Sequence, residues 1–100
     1  MKVKDLGFEI VVEGDLERDV DGIYICDLLS LVMAKAKKDN VWVTVQTNVN
    51  IVAVAVLVEL ACIVVSEGME IDEVTMAKAK QQGVTILRSR EDSFSAAKKI

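Results

Sequence analysis

Apolar positions along this chain change period several times, and each change marks an element. FEIVV (8–12) and GIYIC (22–26) read as short strands, separated by the polar loop EGDLERDVD. After them, Leu28, Leu31, Val32 and Lys35 are spaced for one helical face, so a helix capped by Asp27 is expected to run to about Lys38. VWVTV (41–45) alternates, with Val41, Val43 and Val45 to one side and Trp42 and Thr44 to the other. The stretch from Ile51 to Val65 is almost unbroken and about 15 residues long, short of the roughly 20 that span a bilayer, and it carries Glu59. VAVAV within it is a strand pattern, but Asn50 is a good N-cap and Ile51, Val54, Ala55 and Val58 share a helical face. The run is therefore divided into a buried helix over about 50–61 and a strand over about 62–66.

A local echo supports that division. MAKAKKDNV starts at Met33 and MAKAKQQGV at Met76, and in each the lysine-rich piece is followed by a turn residue, Asn40 or Gly83, and then by Val41 or Val84. Asn and Gly most readily take the left-handed conformation that closes a helix. Lys35, Lys37, Lys38, Lys78 and Lys80 then read most simply as solvated helix ends at the negative pole of the dipole. Asp72 is the expected cap of the next helix, with Ile71 and Met76 as a hydrophobic staple. VTIL (84–87) is the last strand, and SFSAAKKI the last short helix, capped by Asp92.

Strand and helix alternate from residue 41 onward, which implies an α/β layered sandwich with a mainly parallel central sheet flanked by helices. The N-terminal strands add an antiparallel or separately packed piece. Loops after the carboxyl ends of parallel strands form the usual ligand edge. Here they are QTNVN (46–50), SEGME (66–70) and RSREDS (88–93).

A length of 100 residues is read as one domain, 1–100. Its apolar fraction of 52% and mean hydropathy of +0.36 are high for a free-standing domain, so a partner surface is expected, most simply a homodimer. Trp42 and Thr44, opposite the three valines, are the candidate interface residues, with a buried core tryptophan as the alternative for Trp42. A net charge of −4 and a pI near 4.8 disfavour phosphate backbones and anionic lipid, so neither nucleic acid nor a membrane is an expected partner. Two cysteines in apolar settings (IYICDLL, ELACIVV) and no histidine argue against a metal site and for reduced thiols in a cytoplasmic protein. The opening MKVKDLGFEIVVEG does not read as a leader.

Chemistry is sparse. The chain has no GxxxxGK[ST] phosphate loop, no CxxC and no HExxH. Glu70, Asp72 and Glu73 cluster at a helix start, where they serve capping and the dipole. No catalysis and no cofactor are expected.

GIYICDLLSLVMAKAK, VWVTVQTNVNIVAVA, ACIVVSEG and GVTILRSREDSF, in that order and spacing, resemble the DRTGG domain family over Gly22 to about Phe94. That module is found in the N-terminal part of HPr kinase/phosphorylase proteins, in some phosphotransacetylases and beside CBS domains. The resemblance implies a sandwich like the N-terminal domains of HPr kinase and Mur ligases, and a regulatory role. Thr47-Asn48 stands where the family's Asp-Arg falls, and Ser66-Glu67-Gly68 where its Thr-Gly-Gly falls. A small-ligand sensor is then expected to hold a nucleotide-like molecule with Thr47, Asn48, Asn50, Ser66, Glu67 and Gly68, and with Arg88 or Arg90 supplying positive charge. For Arg88 and Arg90 an ion pair with Glu91 or Asp92 is the alternative. A second expectation, of a different class, is a dimeric scaffold that docks a partner protein without a small ligand.

Overall fold

A computed structural model describes residues 1–100. Its strands are β1 (Glu9–Val12), β2 (Ile23–Ile25), β3 (Val41–Thr44), β4 (Cys62–Val65) and β5 (Ile86–Arg88). The helices are α1 (Leu29–Lys35), α2 (Asn50–Val58), α3 (Glu73–Gln82) and α4 (Ser93–Lys98), preceded by a 3-10 turn at Val3–Leu6. One five-stranded sheet has the order β1-β5-β4-β3-β2. β2 through β5 are parallel, and β1 closes the far edge antiparallel to β5.

Because β2, β3, β4 and β5 step across the sheet in one direction, right-handed crossovers place α1, α2 and α3 on the same face. Trp42, Ile63, Val65 and Ile86 pack there against Val32, Ile51, Val52, Val54, Ala55 and Ala79. The other face carries Val41, Val43, Cys62, Val64 and Leu87, covered by Val3 and Leu6, by Phe8, Leu16 and Val20, and by Ile100. Both faces are thus dry, which is why β3 and β4 are buried along their whole length and read as continuous apolar runs. No helix is long and apolar enough to cross a membrane.

Trp42 and Thr44 point opposite to the valines, as the alternation predicts, but both are fully buried. The expected interface at these two residues is therefore corrected. Trp42 fills the core beneath the helices and donates its indole N–H to the Cys26 carbonyl at 2.8 Å. The Thr44 hydroxyl donates to the Asp27 carboxylate at 2.9 Å.

That bond also removes Asp27 from its expected capping role. Its Oδ1 receives the Val45 N–H as well, so it ties the end of β3 to the start of α1, whose N-cap position is Leu28. α1 is shorter than its pattern predicts, ending at Lys35, and buries only Val32, with Leu28 and Leu31 exposed. In the first copy of the echo the left-handed residue is Asp39, not Asn40, whose side chain instead accepts the Lys37 N–H. The second copy behaves as expected, with Gly83 left-handed (φ 72°) at the end of α3. α2 starts one residue earlier in its capping frame than Asn50 predicts. Val49 holds the N-cap position and the Asn48 side chain accepts the Asn50 N–H. Asp72 occupies the N-cap of α3 without a side-chain bond, while Asp92 caps α4 by accepting the Ser95 N–H at 2.7 Å.

Candidate functional site

The chain turns differently after β4 and after β5. From β4 it climbs to α3 on the first face. From β5 it passes to α4, which packs against β3 and β2 on the second face. Two observations fix the side of α4: the Ser93 hydroxyl lies 2.7 Å from that of Ser66, and Ile100 beyond the helix joins the second cluster. Adjacent parallel strands whose loops depart to opposite faces leave a crevice at their carboxyl ends.

That crevice is a cavity of about 350 Å³ lined by Glu67, Gly68, Glu70, Arg88 and Arg90. Its floor is an extension of the β4–β5 ladder, with the Glu67 N–H on the Glu91 carbonyl at 2.7 Å and the Gly68 N–H on the Ser89 carbonyl at 2.8 Å. Four of the eight expected ligand residues, Glu67, Gly68, Arg88 and Arg90, are brought together here. The other four are not. Ser66 is fully buried, held by Ser93 and the Thr44 carbonyl. Thr47 and Asn48 sit in the loop after β3 and Asn50 opens α2, all outside this cavity. The Thr47 carbonyl is fixed there by the Thr75 hydroxyl at 2.7 Å, and the Asn48 amide by Gln46 at 3.0 Å.

The two arginines differ in their commitments. Arg88 makes a two-pronged pair with Glu9, Nε to Oε1 at 3.2 Å and Nη2 to Oε2 at 2.9 Å. The hydrogen bonds lower the Glu9 pKa below its ordinary value and raise that of Arg88. β1 supplies this partner, since Glu9 lies directly across from Arg88 in the antiparallel register. Arg90 is exposed and forms no ion pair and no side-chain hydrogen bond, so it is the cation that remains free to meet an anion. Neither expected partner is available to the arginines: Glu91 is paired with Lys99, and Asp92 caps α4. Glu70 lines the cavity although its position at a helix start pointed only to capping. Glu9 had no local signal, because its place here depends on pairing across the length of the chain.

Glu67 has a left-handed backbone at φ 62°, followed by Gly68 at φ 61°. A side chain at such a position costs about 1–2 kcal/mol, and two in succession are natural only for glycine. These are the positions where the resemblance puts the family's glycine pair.

The family model for the DRTGG domain matches residues 3–100. This chain belongs to the DRTGG domain family. No match is found among curated proteins. Among solved structures, the CBS and DRTGG domains of the regulatory region of Clostridium perfringens pyrophosphatase, complexed with the activator diadenosine tetraphosphate, share its fold. The TM-score is 0.72 at 13% identity, and the alignment covers 96% of this chain. It spans 42% of that solved chain.

A second cavity, of about 220 Å³, lies near the carboxyl ends of α2 and α3. There Arg18 binds the Asp39 carboxylate at 3.0 Å and the Glu59 carbonyl at 2.5 Å, tying the N-terminal cover to the sheet. These contacts make Arg18 a structural tie in its wall.

Proposed function

We propose that this DRTGG domain is a non-catalytic regulatory module that takes the phosphate portion of a nucleotide-like ligand between the loops after β4 and β5. The observation that carries the reading is the unpaired Arg90 beside the exposed Gly68 turn, in a crevice with no apolar lining. A guanidinium suits phosphate oxygens. The absence of any apolar or aromatic wall leaves the base outside the crevice, to be covered by solvent or by a neighbouring domain. Arg88 serves as a fixed wall, since Glu9 occupies its fork. Glu67 and Glu70 set a negative counterweight, which selects a ligand that brings its own cation or presents few charges. The regulatory region with the shared fold is complexed with a dinucleoside polyphosphate, which supports the choice of ligand class.

Thermal-shift titration with ATP, ADP, AMP and diadenosine tetraphosphate tests this. A ligand at about a hundred times its Kd adds about 2.7 kcal/mol of stability. Arg90→Ala should weaken binding at least tenfold, equivalent to about 1.4 kcal/mol. Absence of a saturable shift in the whole series, or unchanged affinity in Arg90→Ala, overturns the assignment.

A further inference from the structure

The two edges of the sheet are protected unequally. β1 has a register break between Ile10 and Val12, carries Glu9 and is followed by Glu13, all of which blunt an edge against pairing. β2, at the opposite edge, has no bulge, no proline and no charged residue. Of the acidic residues that flank it, Asp21 is exposed, while Asp27 is held by the Thr44 hydroxyl and the Val45 N–H.

The hydrogen-bond phase of β2 defines what is left open. The Val41 N–H donates to the Gly22 carbonyl at 3.0 Å and the Cys26 N–H to the Val43 carbonyl at 3.2 Å. Backbone groups alternate in direction along a strand, so Gly22, Tyr24 and Cys26 face β3 while Ile23 and Ile25 direct their N–H and C=O outward. The side chains of Ile23 and Ile25 are 39% and 47% exposed, on the face of Val41 and Val43 opposite α1.

We infer that β2 is the pairing edge of a two-fold symmetric homodimer, in which β2 of each copy runs antiparallel to the other about an axis at Tyr24. Ile23-Tyr24-Ile25 reads the same in both directions, so the two-fold sets Ile23 against the partner's Ile25 and Tyr24 against the partner's Tyr24. Ile23 and the partner's Ile25 then exchange both backbone hydrogen bonds, which satisfies the groups that β3 leaves unpaired. The sheet becomes continuous through both copies, with an uncharged paired segment and with Asp21 facing the partner's Asp27 just beyond each end of it. The strand edge with Ile23 and Ile25 makes a small interface, which fits a weak, reversible dimer.

Sedimentation velocity of the full chain from low to several hundred micromolar should show a reversible dimer. Ile25→Pro removes an N–H that is not used within the subunit, so it should raise the dimer Kd at least tenfold while the melting temperature of the dilute protein stays within a few degrees. Should proline disturb folding, Ile23→Lys at its exposed position reads the same Kd. Tyr24→Cys in a Cys26→Ser background should form an intersubunit disulfide on mild oxidation. A non-hydrogen-bonded antiparallel pair brings its Cα atoms to about 4.5 Å, within disulfide range. A monomer throughout the range overturns the proposal. So does a dimer that persists in the folded variants and fails to cross-link, because it would use another face.

Discussion

Replacing Glu67 by glycine isolates the strain in the turn after β4. Glu67 is exposed and its side chain makes no hydrogen bond or ion pair, so the substitution removes no native polar bond. What it changes is the backbone at φ 62°. A non-glycine residue there costs about 1–2 kcal/mol relative to glycine. Glycine gives back part of that through its looser unfolded state, about 0.5–1 kcal/mol. The net expectation is a gain of about 0.5–1 kcal/mol, or about 2–8 °C in melting temperature for a domain of this size. Glu67→Ala is the control, because it also removes the carboxylate but keeps the strained backbone, and it should leave stability within about 0.5 kcal/mol of the parent. Urea denaturation followed by the fluorescence of the buried Trp42 measures both variants on the same baseline. Glu67→Ala matching or exceeding Glu67→Gly would refute the argument, since the gain would then come from charge and not from conformation. The backbone bonds from Glu67 to Glu91 and from Gly68 to Ser89 should persist in either variant.

Gly14→Ala should destabilise by about 1–3 kcal/mol in the same assay, since the added Cβ would lie 2.4 Å from the Gly83 carbonyl oxygen and 2.7 Å from the Thr85 hydroxyl. Asp92→Ala should lower the melting temperature through loss of the α4 cap. The Asp92 carboxyl is held below its ordinary pKa chiefly by the Ser95 N–H, and that of Glu9 by Arg88. Their stabilisation is therefore present above the unfolded carboxylate pKa of about 4 and lost as pH falls through the lower folded values. A stability titration should show the acid loss diminished in Asp92→Ala. Burial pushes the Cys62 thiol up to about 12, so its contribution is complete below the unfolded thiol pKa of about 8.5 and declines from there as pH rises toward the folded value. Thiol labelling of the folded chain at pH 8 should accordingly modify Cys26 alone, and labelling of Cys62 at the same rate would contradict its burial.

The α/β class, the strands and the polar loops at their carboxyl ends were legible in the one-dimensional pattern, because burial on both sheet faces writes continuous apolar runs and helices write a longer period. Gly83 and Asp92 acted locally and were readable for that reason. Where sequence reasoning failed, a distant partner had taken over a residue. Asp27 left its expected cap for Thr44 and Val45, and Arg88 found Glu9 only because β1 pairs antiparallel with β5. The alternation of β3 correctly separated Trp42 from the valines, yet it carried no information on whether the side opposite the valines met solvent or a layer of helices. Likewise, the spacing marked three loops at one edge of the sheet, while the passage of the chain to opposite faces after β4 and β5 decided which two enclose a crevice. Sequence by itself determined the elements and the side of the sheet where a ligand could sit. Tertiary structure alone decided which charged groups neutralise one another, leaving Arg90 free, because that depends on strand order and register.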